Sequence, residues 1–153
     1  MRLVLREMTS ADLWLIDALE RKIFPDPWPL AAFEEHLDEA DTGGLVAEHR
    51  SRIVGYVCYR FDCGDAHLTN LAVDPAYRRK SVAKELLDHI LDIALKRECE
   101  LIFLEVRISN EIARKVYEVA GFATVDRCTS YYDNPAEDAL VMSRWVSKTP
   151  DGN

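Results

Sequence analysis

Apolar positions recur at helical spacing in two long stretches. Leu13, Ile16, Leu19 and Ile23 fall on one side of a helix that Thr9 or Ser10 can cap. Ala83, Leu86, Leu87, Ile90, Ile93 and Ala94 repeat in the same way from Ser81, until Lys96-Arg97-Glu98 ends the pattern. The first helix stops near Phe24, because Pro25, Pro27 and Pro29 break it, and Trp28 and Phe33 introduce a short second helix ending near Leu37. Shorter runs predict strands at residues 3–6, 45–47, 53–59, 67–73, 101–106, 122–126 and 139–145. The turns around Arg50-Ser51 and residues 62–65 make the second to fourth of these an antiparallel meander. Gly55 inside a strand marks either a bulge or the close approach of another backbone. A further helix, capped by Ser109 or Asn110, runs to Gly121, a left-handed stop, with Ile112, Val116, Val119 and Ala120 as its core stripe. The alternation predicts one α/β (α+β) domain over residues 1–146, followed by a flexible tail at 147–153.

Composition narrows the partners. The chain has 153 residues, is 48% hydrophobic, and carries 27 acidic against 19 basic side chains for a net charge of -8, so nucleic acid is not the expected partner and an amine-bearing one is. Cys58, Cys63, Cys99 and Cys128 show no C-x-x-C pairing and read as reduced packing residues of a cytoplasmic protein, with no metal site. No apolar run reaches membrane-spanning length, so no membrane partner is expected, and the oligomeric state expected is a monomer or weak dimer.

Against this acidic background, Arg78, Arg79, Lys80 and Lys84 gather in a turn that opens the long helix. Cations at a helix start oppose the dipole, so their presence implies an anion that offsets the repulsion, and the free N–H groups of the first turn can bind one. Neither G-x-x-x-x-G-K-[ST] nor G-x-G-x-x-G occurs, which removes the main support for nucleotide hydrolysis and for dinucleotide redox chemistry. Glu105 shares a strand face with Leu101, Phe103 and Arg107, and two readings stand: a partly desolvated general base, or a strand-end carboxylate paired to Arg107. Tyr117 is either a packed aromatic or a proton donor.

Several motifs in order then resemble those of the GCN5-related N-acetyltransferases, whose pyrophosphate turn reads [Q/R]-x-x-G-x-[G/A]. They are Arg78-Arg79-Lys80-Ser81-Val82-Ala83, Leu104-Glu105-Val106-Arg107-x-Ser109-Asn110, Val116-Tyr117-Glu118-x-x-Gly121-Phe122, Tyr131-Tyr132, Glu137-Asp138-Ala139-Leu140 and Phe24-Pro25-x-Pro27-Trp28. Together they are similar to the RimI type, which acetylates the N-terminal alanine of a ribosomal protein. The resemblance implies a mixed, mostly antiparallel sheet of six to seven strands with about four helices on both faces and a splay between strands four and five. It implies acetyl-CoA as donor, a protein N-terminal α-amine as acceptor, and no metal. The backbone of Leu71, Ala72 and Val73 would line the thioester arm, residues Arg78, Arg79, Lys80, Ser81, Val82, Ala83 and Lys84 would hold the pyrophosphate, and Asn110 would contact the cofactor. Glu105 would be the general base, Tyr117 the acid that protonates the departing thiolate, and Trp28, Tyr131 and Tyr132 would shape the acceptor pocket, while His67 would be either a partner in a water relay or a satisfied strand histidine. The alternatives are a member acting on Lys or a small amine, and a CoA-binding module without catalysis. Ser81 departs from the family's usual Gly, where the backbone needs an unusual torsion, and the expectation is weaker cofactor binding rather than none.

Overall fold

The computed structural model describes residues 1–147, so the expected tail falls outside the described residues except for Ser147. Among the described residues, seven strands and four α-helices follow in the order β1 (Val4–Glu7), α1 (Leu13–Ile23), α2 (Leu30–Asp38), β2 (Thr42–His49), β3 (Arg52–Asp62), β4 (Asp65–Val73), α3 (Val82–Lys96), β5 (Leu101–Arg107), α4 (Glu111–Val119), β6 (Ala123–Asp133) and β7 (Ala136–Trp145). The strands form one sheet in the order β1-β2-β3-β4-β5-β7-β6. β1–β2, β2–β3, β5–β7 and β6–β7 pair antiparallel, while β4 and β5 pair parallel, with α3 in the crossover that parallel strands require. The parallel ladder covers Ala66–Ile102, His67–Phe103 and Leu68–Leu104 only, although β4 runs on to Val73 and β5 to Arg107, in keeping with the expected splay. No helix among the described residues is long and apolar enough to cross a membrane, which says nothing of strands.

The described residues form two compact units. Met1–Arg60 with Thr69–Leu86 make the first, and Phe61–Leu68 with the chain from Leu87 onward make the second. In the first unit the α1 stripe buries Leu13, Ile16 and Leu19 in one cluster with Phe33, Val46 and Tyr56. A 3-10 turn at Ser10–Asp12 precedes α1, and the Asp12 carboxylate takes the Thr9 N–H at 2.8 Å and the Arg6 guanidinium at 2.7 Å. Arg50 and Ser51, both left-handed, close the β2–β3 hairpin, because consecutive positive φ values match the twist of paired strands. Both readings of Gly55 hold. The β2–β3 register shifts beside it, and a Cβ there would lie 2.8 Å from Val82 Cγ1 and 3.1 Å from the Ala72 carbonyl oxygen.

In the second unit, β5 alternates buried Ile102, Leu104 and Val106 with half-open Leu101, Phe103, Glu105 and Arg107. The α4 stripe needs correction. Ile112 and Val119 are 66% and 77% exposed, whereas Tyr117 is buried at 8%. The helix turns by about one position because its C-terminal end is fastened on the Tyr117 side: Phe122 N–H donates to the Tyr117 carbonyl, the two rings stand 5.8 Å apart, and Arg144 Nη1 donates to the Ala120 carbonyl at 2.8 Å. Gly121, at φ 94°, is the expected left-handed stop. β6 and β7 extend well past their expected bounds, because mostly exposed β6 carries no apolar alternation to read. Of the four cysteines, Cys58 and Cys99 are buried, but Cys63 is exposed in the β3–β4 turn rather than packed.

Candidate active site

In the first unit, β4 leads into a basic turn. Asp74 is buried at its entrance, where its side chain accepts the Ala76 N–H at 3.0 Å, its own N–H donates to the Val54 carbonyl at 2.8 Å, and Lys22 Nζ lies 3.5 Å away. Arg78, Arg79, Lys80 and Ser81 follow, all exposed, and α3 starts at Val82 with its first bond from Glu85 N–H to the Ser81 carbonyl at 3.0 Å. Arg79 and Ser81 are left-handed, with φ 63° and 65°. The torsion expected at the position where Gly is usual is therefore present, and Ser81 adopts it against the steric cost of its Cβ. Alternation of hand turns successive N–H groups toward one side, a backbone arrangement that suits an anion. Leu71 and Val73 are half-buried and Ala72 is buried on β4 just before this turn.

The same unit holds a polar cluster that the periodicity concealed. Glu20 lies four residues after Ile16, on the apolar stripe of α1, and is 2% exposed. Its Oε1 accepts the Tyr56 hydroxyl at 2.5 Å and Asn70 Nδ2 at 2.9 Å, and its Oε2 accepts the Trp28 N–H at 3.0 Å. Burial raises the Glu20 carboxyl above the ordinary range, with these three donors opposing it, and burial likewise pushes the Tyr56 hydroxyl up. A charged residue on an otherwise apolar stripe was the available signal. Glu20 thereby ties Trp28, after the proline-rich break, to β3 and β4. The Trp28 ring packs 5.0 Å from Phe33 and walls a surface pocket of about 220 Å³ with Ala32, Glu35, His36, Glu39 and Arg60.

In the second unit, β5 presents Glu105 on its half-open face. Arg107 does not pair with it: Arg107 Nη1 reaches Glu137 at 3.2 Å and the Pro135 carbonyl at 2.8 Å, and its guanidinium lies 4.2 Å over the Tyr132 ring. The partner of Glu105 is His67, whose Nε2 lies 2.7 Å from Glu105 Oε1, and whose ring stacks on Phe103 at 4.4 Å and 7°. The stack follows from register, since His67 and Phe103 are paired across the parallel ladder and Glu105 is the next residue on that face. Bonded and stacked in this way, His67 is a satisfied strand histidine.

Tyr131 and Tyr132 meet edge to face at 4.9 Å, brought together by a register irregularity between Cys128 and Tyr132 where Ser130 is left-handed at φ 54°. Burial pushes the Tyr132 hydroxyl up to about 12, with smaller contributions from Tyr131 and Glu105, and burial and the Glu105 charge raise Tyr131 as well. Tyr117 is raised further, by burial first and then by Tyr132. Glu105, Tyr131 and Tyr132 thus share one electrostatic neighbourhood, and Tyr117 adjoins it through Tyr132. Asn110 caps α4, its Oδ1 accepting the Ala113 N–H at 3.2 Å. Glu137 anchors the preceding loop by accepting Ser109 N–H at 2.6 Å, and its carboxyl is lowered by Ser109 first and Arg107 second. No group of three or more His, Cys, Asp or Glu among the described residues is placed to hold a metal ion.

Comparison with known proteins matches the chain to one family. Residues 13–122 match the model of the acetyltransferase (GNAT) family. The chain is 30% identical over 143 residues to a putative [ribosomal protein bS18]-alanine N-acetyltransferase of Bacillus subtilis, covering 93% of each. It is 32% identical over 143 residues to the N-alpha-acetyltransferase RimI of Mycobacterium tuberculosis, covering 90% of this chain and 89% of that protein. The crystal structure of the ribosomal-protein-S18-alanine N-acetyltransferase from Escherichia coli superposes with a TM-score of 0.87 at 26% identity, over 98% of this chain and 97% of that one. A seven-stranded sheet with this order and these relatives places the chain among the RimI-like N-acetyltransferases, and it belongs to the acetyltransferase (GNAT) family.

Proposed function

We propose that this enzyme transfers acetyl from acetyl-CoA to the N-terminal α-amine of a protein, specifically a ribosomal protein beginning with alanine. The observation that carries the reading is Glu105: a carboxylate with 17% of its side chain exposed, on the open face of β5, in the electrostatic neighbourhood of Tyr131 and Tyr132. An α-amine titrates near ~8 against ~10.4 for Lys, so a modest base suffices to present the neutral nucleophile at physiological pH. Relatives with bS18-alanine N-acetyltransferase activity in their names support the acceptor class.

For the donor, the turn from Arg78 to Lys84 is assigned to the pyrophosphate, the backbone of Leu71, Ala72 and Val73 to the thioester arm, and Asn110 to a further cofactor contact. Support comes from four exposed cations, Arg78, Arg79, Lys80 and Lys84, two left-handed residues and a helix start in one short segment. Trp28, Tyr131 and Tyr132 are assigned to the acceptor. Glu105 takes the amine proton, the amine nitrogen bonds to the acetyl carbon, the carbon–sulfur bond breaks with its electron pair going to sulfur, and Tyr117 protonates the thiolate. The Tyr117 phenol is protonated at physiological pH, and because burial raises it, its proton transfer to sulfur is uphill and is completed by departure of the thiol.

The test is thiol release from acetyl-CoA with a bS18-like peptide bearing a free N-terminal Ala. The same peptide blocked at its N-terminus, an internal-Lys peptide and a polyamine serve as comparisons. Release with the free N-terminus alone is the expected result. Equal or faster release with Lys or the polyamine overturns the acceptor assignment, and no release with any amine, despite acetyl-CoA binding by calorimetry, overturns catalysis.

A further inference from the structure

The His67–Glu105 pair lies wholly within the second unit, and no step of the proposed chemistry uses His67. We propose that His67 is a positioning residue that fixes the general base. The inference rests on Glu105 being that base. His67 Nε2 stands 2.7 Å from Glu105 Oε1, a short contact in the range of charge-assisted hydrogen bonds. The imidazole is itself held: it stacks on Phe103 at 4.4 Å with planes 7° apart, and its neighbours Ala66 and Leu68 on β4 are buried, so the strand presents His67 on the same open face as Glu105. With Nε2–H donating to Oε1, one carboxylate oxygen is engaged and Oε2 is left as the proton acceptor.

This matters because a Glu side chain has three rotatable bonds, and a base on a half-open strand face is otherwise free to swing toward solvent. A shift of the reacting group by about 1 Å costs on the order of 100-fold in rate. Arg107, which could have held Glu105 from the same face, is engaged by Glu137, the Pro135 carbonyl and the Tyr132 ring. His67 is the residue whose bond selects the Glu105 rotamer.

The experiment is steady-state kinetics on the full chain with acetyl-CoA and the free N-terminal Ala peptide. It compares wild type, His67→Ala, His67→Gln, Glu105→Gln and the double variant His67→Ala/Glu105→Gln. The expected result is that His67→Ala lowers kcat about 10- to 100-fold with KM for both substrates within about twofold. His67→Gln, whose amide nitrogen reaches the place of Nε2, recovers most of the loss. In the Glu105→Gln background, His67→Ala changes kcat by less than about twofold, because a group that acts through Glu105 has nothing left to position. A purely structural role predicts instead a loss that persists in that background. The proposal is overturned if His67→Ala retains wild-type kcat, if His67→Gln is as impaired as His67→Ala, or if the losses multiply in the double variant. Should His67→Ala fail to fold, as judged by circular dichroism, the Gln variant decides: kcat more than about tenfold below wild type overturns the assignment. Activity of the wild type with untouched kcat in His67→Ala sinks the positioning role alone. A wild type inactive toward every amine sinks the underlying function and this role with it.

Discussion

Replacement of Glu20 tests the polar cluster under the first unit's core. Glu20→Ala strands three donors: the buried Tyr56 hydroxyl, Asn70 Nδ2 and the Trp28 N–H, which now sit 2.5, 2.9 and 3.0 Å from carboxylate oxygens. An unpaired buried donor costs about 1–3 kcal/mol, and water entering the vacated space recovers part of the sum, so the expected loss is about 3–5 kcal/mol. That is a large share of a stability near 5–15 kcal/mol. Glu20→Gln keeps an oxygen for Tyr56 and Asn70 but turns an NH2 toward the Trp28 N–H, so about 1–2 kcal/mol is expected. The pH dependence separates the two contributions. Burial holds the folded carboxyl above its unfolded value near ~4.3, so the folded state binds more protons and stability falls as pH rises through that interval. Gln removes this fall. Its penalty relative to wild type is therefore larger at pH 4.5 than at pH 7.5. Urea unfolding of the three proteins at both values, followed by tryptophan fluorescence, measures the differences. A Glu20→Ala loss under 1 kcal/mol, or a Gln penalty that grows with pH, would refute the reasoning.

Three further changes probe other parts of the structure. Ser81→Gly relieves a residue at φ 65°, and the left-handed cost of a Cβ of about 1–2 kcal/mol exceeds the chain entropy Gly adds; calorimetry should show tighter acetyl-CoA binding with unchanged or slightly higher thermal stability. Gly55→Ala forces a Cβ to within 2.8 Å of Val82 and 3.1 Å of the Ala72 carbonyl oxygen, and should cost about 1–3 kcal/mol in denaturant unfolding, with weaker acetyl-CoA binding because Val82 opens α3. Tyr117→Phe should lower kcat by about 100-fold or more and evenly from pH 6 to 9, because burial lifts the phenol well above that window and it supplies no titration there; a loss confined to one end of the profile would argue that Tyr117 is not the acid.

Much of the fold was legible because local chemistry and tertiary packing agree. α1 and α3 carry stripes of helical period, β5 alternates buried and half-open positions, Gly121 supplies the left-handed stop, and Arg50-Ser51 closes a tight hairpin. Where they disagree, the sequence misled. On α4, Ile112 and Val119 form as good a stripe as Ala113 and Tyr117, and Arg144, 24 residues beyond Ala120, fixes which one is buried. β6 has no apolar pattern because both its faces are largely open, and its length comes from pairing with β7. The basic turn was readable as an anion site, but the left-handed torsions at Arg79 and Ser81 are consequences of fitting that turn between β4 and α3.

The candidate site divides along the same line. Residue types and spacing along the chain determined Glu105 on a half-open strand face and the cations at the start of α3, because periodicity and helix-end electrostatics act over a few residues. Which group engages Glu105 was decided by register: parallel pairing across 36 residues sets His67 against Phe103 and hence beside Glu105, while Arg107 is drawn to Glu137, 30 residues away. Likewise Glu20 is a charge out of place in sequence and a satisfied acceptor in the structure, since its donors come from residues up to 50 positions distant. Hydrogen bonds depend on distance in space, and only the packed chain sets that distance.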